Sequence, residues 1–310
     1  MEKIAIVGAG LIGRSWAIVF ARAGHEVAIH DASPVLLAAN LAALEASLED
    51  LHSSGLLAEP PARVLGRITV ADSLERALAG ADYVQENIGE SAAAKREIFA
   101  RMDALAARST ILASSTSTVR TSDFSEGLAG RARCIVVHPV NPPHLVPLVE
   151  ISPAHWTAPE VVERTRHLQA SVGQVPIVVR KELQGFILNR LQAALLAEAW
   201  RLYEDGFASA EDIDATVRDG LGLRWSFMGP FETIDLNAPD GVADYVARYG
   251  QVLYEISASQ APRRWSEECL ARLEAERRKT LPADALARRQ AWRDRRLMAL
   301  LAHKRAASAI

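Results

Sequence analysis

Short apolar runs alternate with longer amphipathic segments over the first 180 residues of the chain. The runs have the length of strands, and the segments between them carry apolar residues at helical spacing. This alternation predicts an α/β domain with a doubly wound, mostly parallel sheet covered by helices. The predicted strands are Lys3–Val7, Glu26–His30, Arg67–Val70, Tyr83–Glu86, Thr110–Ser114, Arg133–Val137 and Val175–Val179. The predicted helices between them are Ile12–Ala23, Pro34–Leu51, Ser73–Leu78 and Ala93–Ala107.

The pattern changes near residue 184, after which no segment has the character of a strand. Phe186–Tyr203 is typical of one long helix, and Ser209 with Asp212 resembles the start of another, for which Gly220 is a plausible stop. The stretch from Arg263 to Arg305 is helical in composition and rich in arginine. We therefore predict two domains, residues 1–183 with the sheet and residues 184–310 built only of helices.

A glycine-rich turn follows the first predicted strand at once and opens the first predicted helix. Gly8 permits a tight turn, Gly10 allows the backbone to approach a ligand, and Gly13 allows close packing of helix on strand. The strand–turn–helix context indicates a Rossmann-type dinucleotide site, with the pyrophosphate on the backbone of this turn, Leu11 and Ile12 included. The alternative is a turn with a structural role only.

Asp31 ends the second predicted strand, 18 residues after Gly13. A carboxylate at this place accepts hydrogen bonds from ribose hydroxyls and repels a 2′-phosphate, which predicts NAD rather than NADP as the cofactor. The alternative for Asp31 is a helix cap.

Two polar segments come directly after later strands, where ligands bind in open α/β sheets. One is the hydroxyl-rich Ser114–Thr118, and the other begins with His138. Glu150 follows twelve residues after His138 in an apolar stretch, and a buried carboxylate needs a partner. A paired His138 has the chemistry of a base for a secondary alcohol, with its tautomer set by Glu150. On spacing alone, a core histidine and an unrelated glutamate are an equal alternative.

These motifs together resemble the L-3-hydroxyacyl-CoA dehydrogenase family over nearly the whole chain. The matching stretches are Gly8–Gly13, Ser114–Thr118, His138–Pro142, Glu150 and Gly185–Arg190. The resemblance implies that His138 is the catalytic base, that Glu150 orients it, and that Ser117 and Asn189 contact the substrate oxygen.

The same resemblance implies that Glu90 and Lys95 touch the cofactor, that the active site closes between the domains, and that the protein is a homodimer formed through the helical domain. Two structural alternatives stay open. Lys95 could be a surface lysine, and Asn189 could be a helix residue that bonds a loop.

Within the family, the chain is most similar to the lambda-crystallin branch, whose enzymes are L-gulonate 3-dehydrogenases. Two matching stretches are Gly10–Ala17 and Gly220–Trp225, and Pro139 and Val140 stand where the acyl-CoA branch has two aromatic residues. The resemblance implies oxidation of L-gulonate to 3-dehydro-L-gulonate.

The charges favour a small free acid over a coenzyme A thioester. Residues 34–62 contain no lysine or arginine, although the acyl-CoA enzymes have a basic segment here that meets the phosphates of coenzyme A. Arg224 could hold the carboxylate of a small substrate in two hydrogen bonds. A salt bridge is an equal alternative for Arg224.

Three other functions stay open beside L-gulonate oxidation. L-carnitine or 3-hydroxybutyryl-CoA could be the substrate of the same residues, with Trp225, Phe227 and Phe231 as candidate aromatic contacts for the trimethylammonium group of carnitine. A crystallin-like structural protein that binds NAD without turnover belongs to another class. The joint presence of His138, Glu150, Ser117 and Asn189 favours an enzyme.

The composition excludes other classes of protein. A formal net charge of −3 and 49% hydrophobic residues indicate a globular protein with no nucleic acid or anionic membrane as partner. Two cysteines, with no evident signal peptide or apolar run of membrane-spanning length, predict a soluble cytoplasmic protein. The expected partner is a small 3-hydroxy carboxylate, and no metal is expected.

Overall fold

The computed structural model describes residues 1–307 of the chain. They form two compact units, of which the first contains residues Met1–Arg190 together with residues 288–307. The second unit is Leu191–Ala287.

The first unit is built on one sheet of eight strands in the order β3-β2-β1-β4-β5-β6-β7-β8. Every neighbouring pair is parallel except β6 and β7, so the predicted doubly wound, mostly parallel sheet is confirmed. The strands are β1 (Lys3–Val7), β2 (Glu26–His30), β3 (Ile68–Val70), β4 (Tyr83–Glu86), β5 (Ile111–Ser114), β6 (Cys134–Pro139), β7 (Leu148–Pro153) and β8 (Val175–Val178).

The strand β7 is absent from the prediction, and it alters the end of the sheet. Residues 140–147 turn the chain back, so that β7 runs antiparallel beside β6. Pro147 precedes this short strand and Pro153 is its last residue, and prolines are uncommon within strands, so the sequence does not mark it clearly as one.

Helices cover both faces of the sheet in the first unit. They are α1 (Leu11–Arg22), α2 (Pro34–Ser53), α3 (Pro61–Leu65), α4 (Leu74–Leu78), α5 (Ala92–Leu105), α6 (Thr121–Ser125), a 3-10 turn (Arg131–Arg133) and α7 (Pro159–Ser171). Side chains of β1 alternate between two apolar clusters, with Ile4 and Ile6 in one and Ala5 and Val7 in the other. The sheet is therefore buried on both sides, and this explains why its strands are predominantly apolar.

The second unit is entirely helical among its described residues, as predicted. Its elements are α8 (Leu188–Glu204, which begins in the first unit), α9 (Ala210–Ala215), a π-helical turn (Thr216–Leu221), α10 (Gly222–Trp225), α11 (Pro230–Asp235), α12 (Val242–Ser259), α13 (Glu267–Thr280) and a 3-10 turn (Ala283–Ala285). The hydroxyl of Ser209 caps α9 by accepting the N–H of Asp212 at 3.1 Å. Gly220 does not end a helix, because the chain continues through the π-helical turn into α10.

The last helix, α14 (Leu286–Ala307), groups from Arg288 onward with the first unit, whereas the predicted division placed this tail in the helical domain. Met298 is buried in the same cluster as Leu44 and Leu48 of α2. Arg305 donates to the carbonyl of Leu56 at 3.2 Å. Apolar packing across more than 240 residues of sequence thus decides where the tail lies. Within residues 1–307, no helix combines the length and the apolar character needed to cross a bilayer.

Candidate active site

The glycine turn between β1 and α1 is shaped by close backbone contacts. Gly8 has φ of +92°, and a Cβ there would lie 2.9 Å from the carbonyl carbon of Asn87. A Cβ on Gly13 would overlap the carbonyl oxygen of Gly8. At Gly10 a Cβ would meet nothing within 4 Å. Gly8 and Gly13 therefore close the turn, and Gly10 leaves its outer side open.

The amino end of α1 fits the pyrophosphate of a dinucleotide. The first intrahelical bond runs from the N–H of Arg14 to the carbonyl of Gly10 at 3.0 Å, and no side chain caps the helix among the described residues. The N–H groups of Leu11 and Ile12 therefore point out of the first turn beside the open side of Gly10. These donors and the helix dipole favour an anion at this place.

Asp31 joins the glycine turn to the beginning of α2. Its Oδ2 accepts the N–H of Ala9 and its Oδ1 accepts the N–H of Ser33, both at 2.8 Å. The cap of α2 is Ser33, whose hydroxyl accepts the N–H of Leu36 at 3.3 Å. Asp31 is partly exposed, and each carboxylate oxygen has a further lone pair that could accept a ribose hydroxyl.

His138 and Glu150 face each other across β6 and β7, as directly paired residues of the two antiparallel strands. The Nδ1 of His138 lies 2.8 Å from Oε2 of Glu150, and both side chains are buried. An ionised carboxylate can only accept, so Nδ1 donates in this bond, and the neutral form of the ring then has its lone pair at Nε2. The pair has the arrangement of a general base and the group that orients it.

The second oxygen of Glu150 binds the start of α8. Oε1 accepts the N–H of Ile187 at 2.8 Å and that of Leu188 at 2.9 Å. Gly185 and Phe186 both have positive φ in the preceding turn, and the ring of Phe186 packs 5.4 Å from that of His138. Three donors thus satisfy a carboxylate that would be costly to bury alone.

Ser117, Asn189 and Glu90 meet at the loop after β5. Glu90 accepts the hydroxyl of Thr116 and the N–H of Ser117, both at 2.6 Å. The amide of Asn189 donates to the carbonyl of Ser117 at 2.9 Å, which is the loop contact that the sequence left open. Among the described residues the hydroxyl of Ser117 has no hydrogen-bond partner, so it can serve a ligand.

Lys95 is buried, and this position does not agree with the expected contact to the cofactor. Its side chain is 1% exposed, and Nζ lies 3.0 Å from both carboxylate oxygens of Glu86. The side chain has almost no surface with which to touch a nucleotide, and it is not a surface lysine either. Burial raises the pKa of the Glu86 carboxyl, and the ammonium of Lys95 opposes that rise.

A buried polar network around Ser115 was not predicted. The hydroxyl of Ser115 accepts from Nε1 of Trp16 at 3.0 Å and from Nε2 of Gln85 at 2.7 Å, and it donates to Oδ1 of Asn87 at 2.7 Å. The network ties α1 to the ends of β4 and β5. The available signal was the pair of polar residues, Gln85 and Glu86, at the end of an otherwise apolar strand.

Arg224 belongs to α10 in the second unit and is exposed. Within residues 1–307 its guanidinium makes no hydrogen bond or salt bridge, so the salt bridge that the sequence left open is not formed in this part of the chain. Arg224 is therefore available to an anionic ligand.

Comparison with known proteins covers nearly all of the chain. Residues 3–183 match the family described as 3-hydroxyacyl-CoA dehydrogenase, NAD binding domain, and residues 185–280 match its C-terminal domain. A lambda-crystallin homolog from Bos taurus is 42% identical, over 96% of this chain and 94% of that protein. An L-carnitine dehydrogenase from Oceanobacillus iheyensis is 36% identical, over 82% of each chain.

A solved structure has a similar fold over the same extent. The NAD+-dependent 5-formyl-3-hydroxy-2-methylpyridine 4-carboxylic acid 5-dehydrogenase superposes with a TM-score of 0.84 at 28% identity, covering 97% of both chains. The similarity therefore includes both domains and the C-terminal helix.

Proposed function

The chain belongs to the 3-hydroxyacyl-CoA dehydrogenase family and binds NAD, and we propose that its substrate is a small free L-3-hydroxy acid, with L-gulonate as the first choice. As a member of this family it is an NAD-dependent oxidoreductase. The proposed reaction converts the 3-hydroxyl of L-gulonate to the ketone of 3-dehydro-L-gulonate.

The first unit supplies the residues for this reaction. The Nε2 of His138 takes the proton of the 3-hydroxyl, while Glu150 holds the ring and stabilises the imidazolium that forms. Bound NAD supplies the acceptor for the hydride that leaves C3. The hydroxyl of Ser117 and the second N–H of the Asn189 amide donate to the oxygen as negative charge develops on it.

The observation that carries the preference for a free acid is the missing positive charge in residues 34–62. This stretch includes all of α2 and contains four carboxylates, Glu45, Glu49, Asp50 and Glu59, without a lysine or arginine. The stretch itself offers no cation to the phosphates of a coenzyme A substrate, and the arginines that reach it, Arg14 and Arg305, come from other helices. Arg305 of α14 lies at the carbonyl of Leu56, so a thioester has to be included among the substrates tested.

The exposed guanidinium of Arg224 supports a carboxylate substrate. We assign it the recognition of that carboxylate through two hydrogen bonds, because a planar guanidinium matches a carboxylate in this way. The same contact would serve every small 3-hydroxy acid.

L-carnitine is the second candidate, because an L-carnitine dehydrogenase is 36% identical over most of the chain. Its trimethylammonium group requires an aromatic or anionic contact. Trp225, Phe227 and Phe231 are exposed in the second unit and meet that requirement chemically.

We also expect a homodimer formed through the helical unit, and a cytoplasmic location. The many exposed apolar side chains of the second unit support the first expectation. Two free, buried cysteines are compatible with a reducing compartment.

A substrate panel tests the proposal. NADH formation is followed with NAD or NADP and each of L-gulonate, L-carnitine, 3-hydroxybutyrate and 3-hydroxybutyryl-CoA, for the wild type and for His138→Ala. We expect the highest kcat/KM with NAD and L-gulonate and a loss of at least about 10³-fold in His138→Ala. Higher efficiency with the thioester, or equal rates of the two proteins, would contradict the proposal. No turnover with any acid would favour a structural protein that binds NAD.

A further inference from the structure

The carboxyl end of β4 holds a charged pair that has no part in the proton transfer. Lys95 and Glu86 are both buried, with Nζ 3.0 Å from each carboxylate oxygen. Removing two ions from water is costly, and an apolar pair of similar volume is often as stable or more stable. The stability of the fold therefore does not explain why charged residues are present here. The other hydrogen bonds of the pair indicate a different role.

Both charged groups hold the backbone of Ile88. Oε1 of Glu86 accepts the N–H of Ile88 at 2.6 Å, and Nζ of Lys95 donates to the carbonyl of Ile88 at 3.4 Å. The backbone at Asn87 and Ile88 is the surface against which the glycine turn closes, since a Cβ on Gly8 would lie within 3.1 Å of both residues. The pair thus determines where that surface stands.

The same carboxylate reaches the neighbouring loop. Oε2 of Glu86 accepts the hydroxyl of Ser114 at 2.5 Å, and this hydroxyl in turn accepts the N–H of Thr116 at 3.3 Å. Glu90, two residues after Ile88, accepts from Thr116 and Ser117. The loops after β4 and β5 are therefore joined through the buried pair and through Glu90, in addition to the bond from Ser115 to Asn87.

We propose that Glu86 and Lys95 are a positioning pair that holds the loop after β4 against both the glycine turn and the Ser117 loop. The pair acts through Ile88 and Ser114 and has almost no exposed surface of its own. By holding this loop, the pair fixes the position of the dinucleotide site relative to the hydroxyl of Ser117. The part that concerns Ser117 rests on the role proposed for that residue above.

The variant Glu86→Leu/Lys95→Met separates positioning from stability. It removes both charges, so no buried ion is left unpaired, and it leaves no group that can hold Ile88 or Ser114. We expect thermal unfolding at or above the wild-type temperature, about tenfold weaker NADH binding in a fluorescence titration, and a kcat about tenfold lower. Unchanged NADH affinity and kcat would overturn the proposal.

The variant Glu86→Gln/Lys95→Met is the conservative rescue. Its amide oxygen can still accept the N–H of Ile88 and its amide nitrogen can bond the hydroxyl of Ser114, so we expect both constants to return to within about threefold of the wild type. Failure of this rescue in a folded protein would overturn the proposal. Arg101→Met, an exposed change of similar kind on the same helix, is the matched control and should alter neither constant.

Ser114→Ala is a third variant that leaves the ion pair in place, and it decides the matter if the apolar pair does not fold. It removes the two bonds of the Ser114 hydroxyl, to Glu86 and from Thr116, which connect the pair to the Ser117 loop, so we expect a several-fold lower kcat with unchanged NADH affinity. An unchanged kcat would overturn the link to Ser117. The NADH titrations need no substrate, so they report on the pair even if every acid in the panel fails.

Discussion

The two compact units of this chain bury their apolar side chains to very different degrees. The first unit encloses large side chains such as Trp16, Phe20 and Phe99 completely. In the second unit, α12 has apolar residues at helical spacing, yet none of its residues is buried. Val252 on this helix is 53% exposed, and Val246 and Ile256 are exposed to a similar degree.

The first unit therefore buries its apolar side chains within one chain, whereas the second unit has apolar surface that the described residues do not cover. All partners of His138, Glu150 and Ser117 named above lie in the first unit, where buried polar groups are satisfied by nearby strands and loops. The second unit has apolar helical faces without a cover among the described residues, which is typical of a surface that binds a partner. A second copy of the chain is the partner that we propose.

Glu150→Gln tests the buried contacts of the first unit, and we expect it to have the largest effect. Oε1 of Glu150 takes two N–H donors and Oε2 takes Nδ1 of His138, so an amide cannot satisfy both sides. If its nitrogen faces His138, the ring must take the tautomer that cannot act as a base at Nε2. We expect kcat to fall by about 10²–10⁴-fold with NADH affinity nearly unchanged.

The control for this measurement is Glu163→Gln, an exposed carboxylate of the same unit, which should leave kcat unchanged. If Glu150→Gln abolishes NADH binding instead, the role given to Glu150 is wrong.

Val252→Asp tests the proposal that the apolar surface of the second unit binds a second copy of the chain. A carboxylate introduced into an apolar contact would have to be buried on association, which costs a few kcal/mol. We expect the dissociation constant of the dimer to rise by at least about 100-fold in sedimentation velocity. Val70→Asp is the matched control, because Val70 is also 53% exposed but lies on β3 in the first unit. A variant at Val252 that stays dimeric would remove α12 from the proposed interface.

The smallest expected effect concerns the pH dependence of stability and comes from His144, a residue of the first unit. Desolvation, with the positive charges of Arg22 and Arg14, lowers the pKa of His144 from 6.5 to about 4. At a pH between about 4 and 6.5, the ring of His144 is therefore mostly neutral in the folded state and mostly protonated in the unfolded chain. This contribution to stability is complete above pH 6.5 and is lost progressively as the pH falls from 6.5 to about 4.

Urea unfolding of the wild type and of His144→Asn at pH 7.5 and pH 5 measures this contribution. We expect the wild type to lose about 1–2 kcal/mol more than the variant over this interval. Equal losses in the two proteins would show that His144 does not contribute.

The local parts of the fold could be predicted well from the sequence. The limits of β1, β2 and β4 agree with the prediction, because buried parallel strands are short apolar runs between turn residues. β7 was missed because its pairing with β6 depends on the direction in which the chain returns after residues 140–147, and the local pattern does not specify that direction. Lys95 was misplaced for the same kind of reason, since its partner Glu86 became visible only when β4 and α5 were packed together.

What the sequence by itself determined is the strand–glycine–helix turn with Asp31, together with the identity of the residues His138 and Glu150. These depend on backbone sterics and on residues close in the chain. Only the tertiary structure decided that Glu150 also binds Ile187 and Leu188, 37 and 38 residues away, and that α14 returns to the first unit. Such contacts satisfy buried charge and apolar surface across long separations. The local pattern of residues can show that a partner is required, but it does not show which residue is the partner.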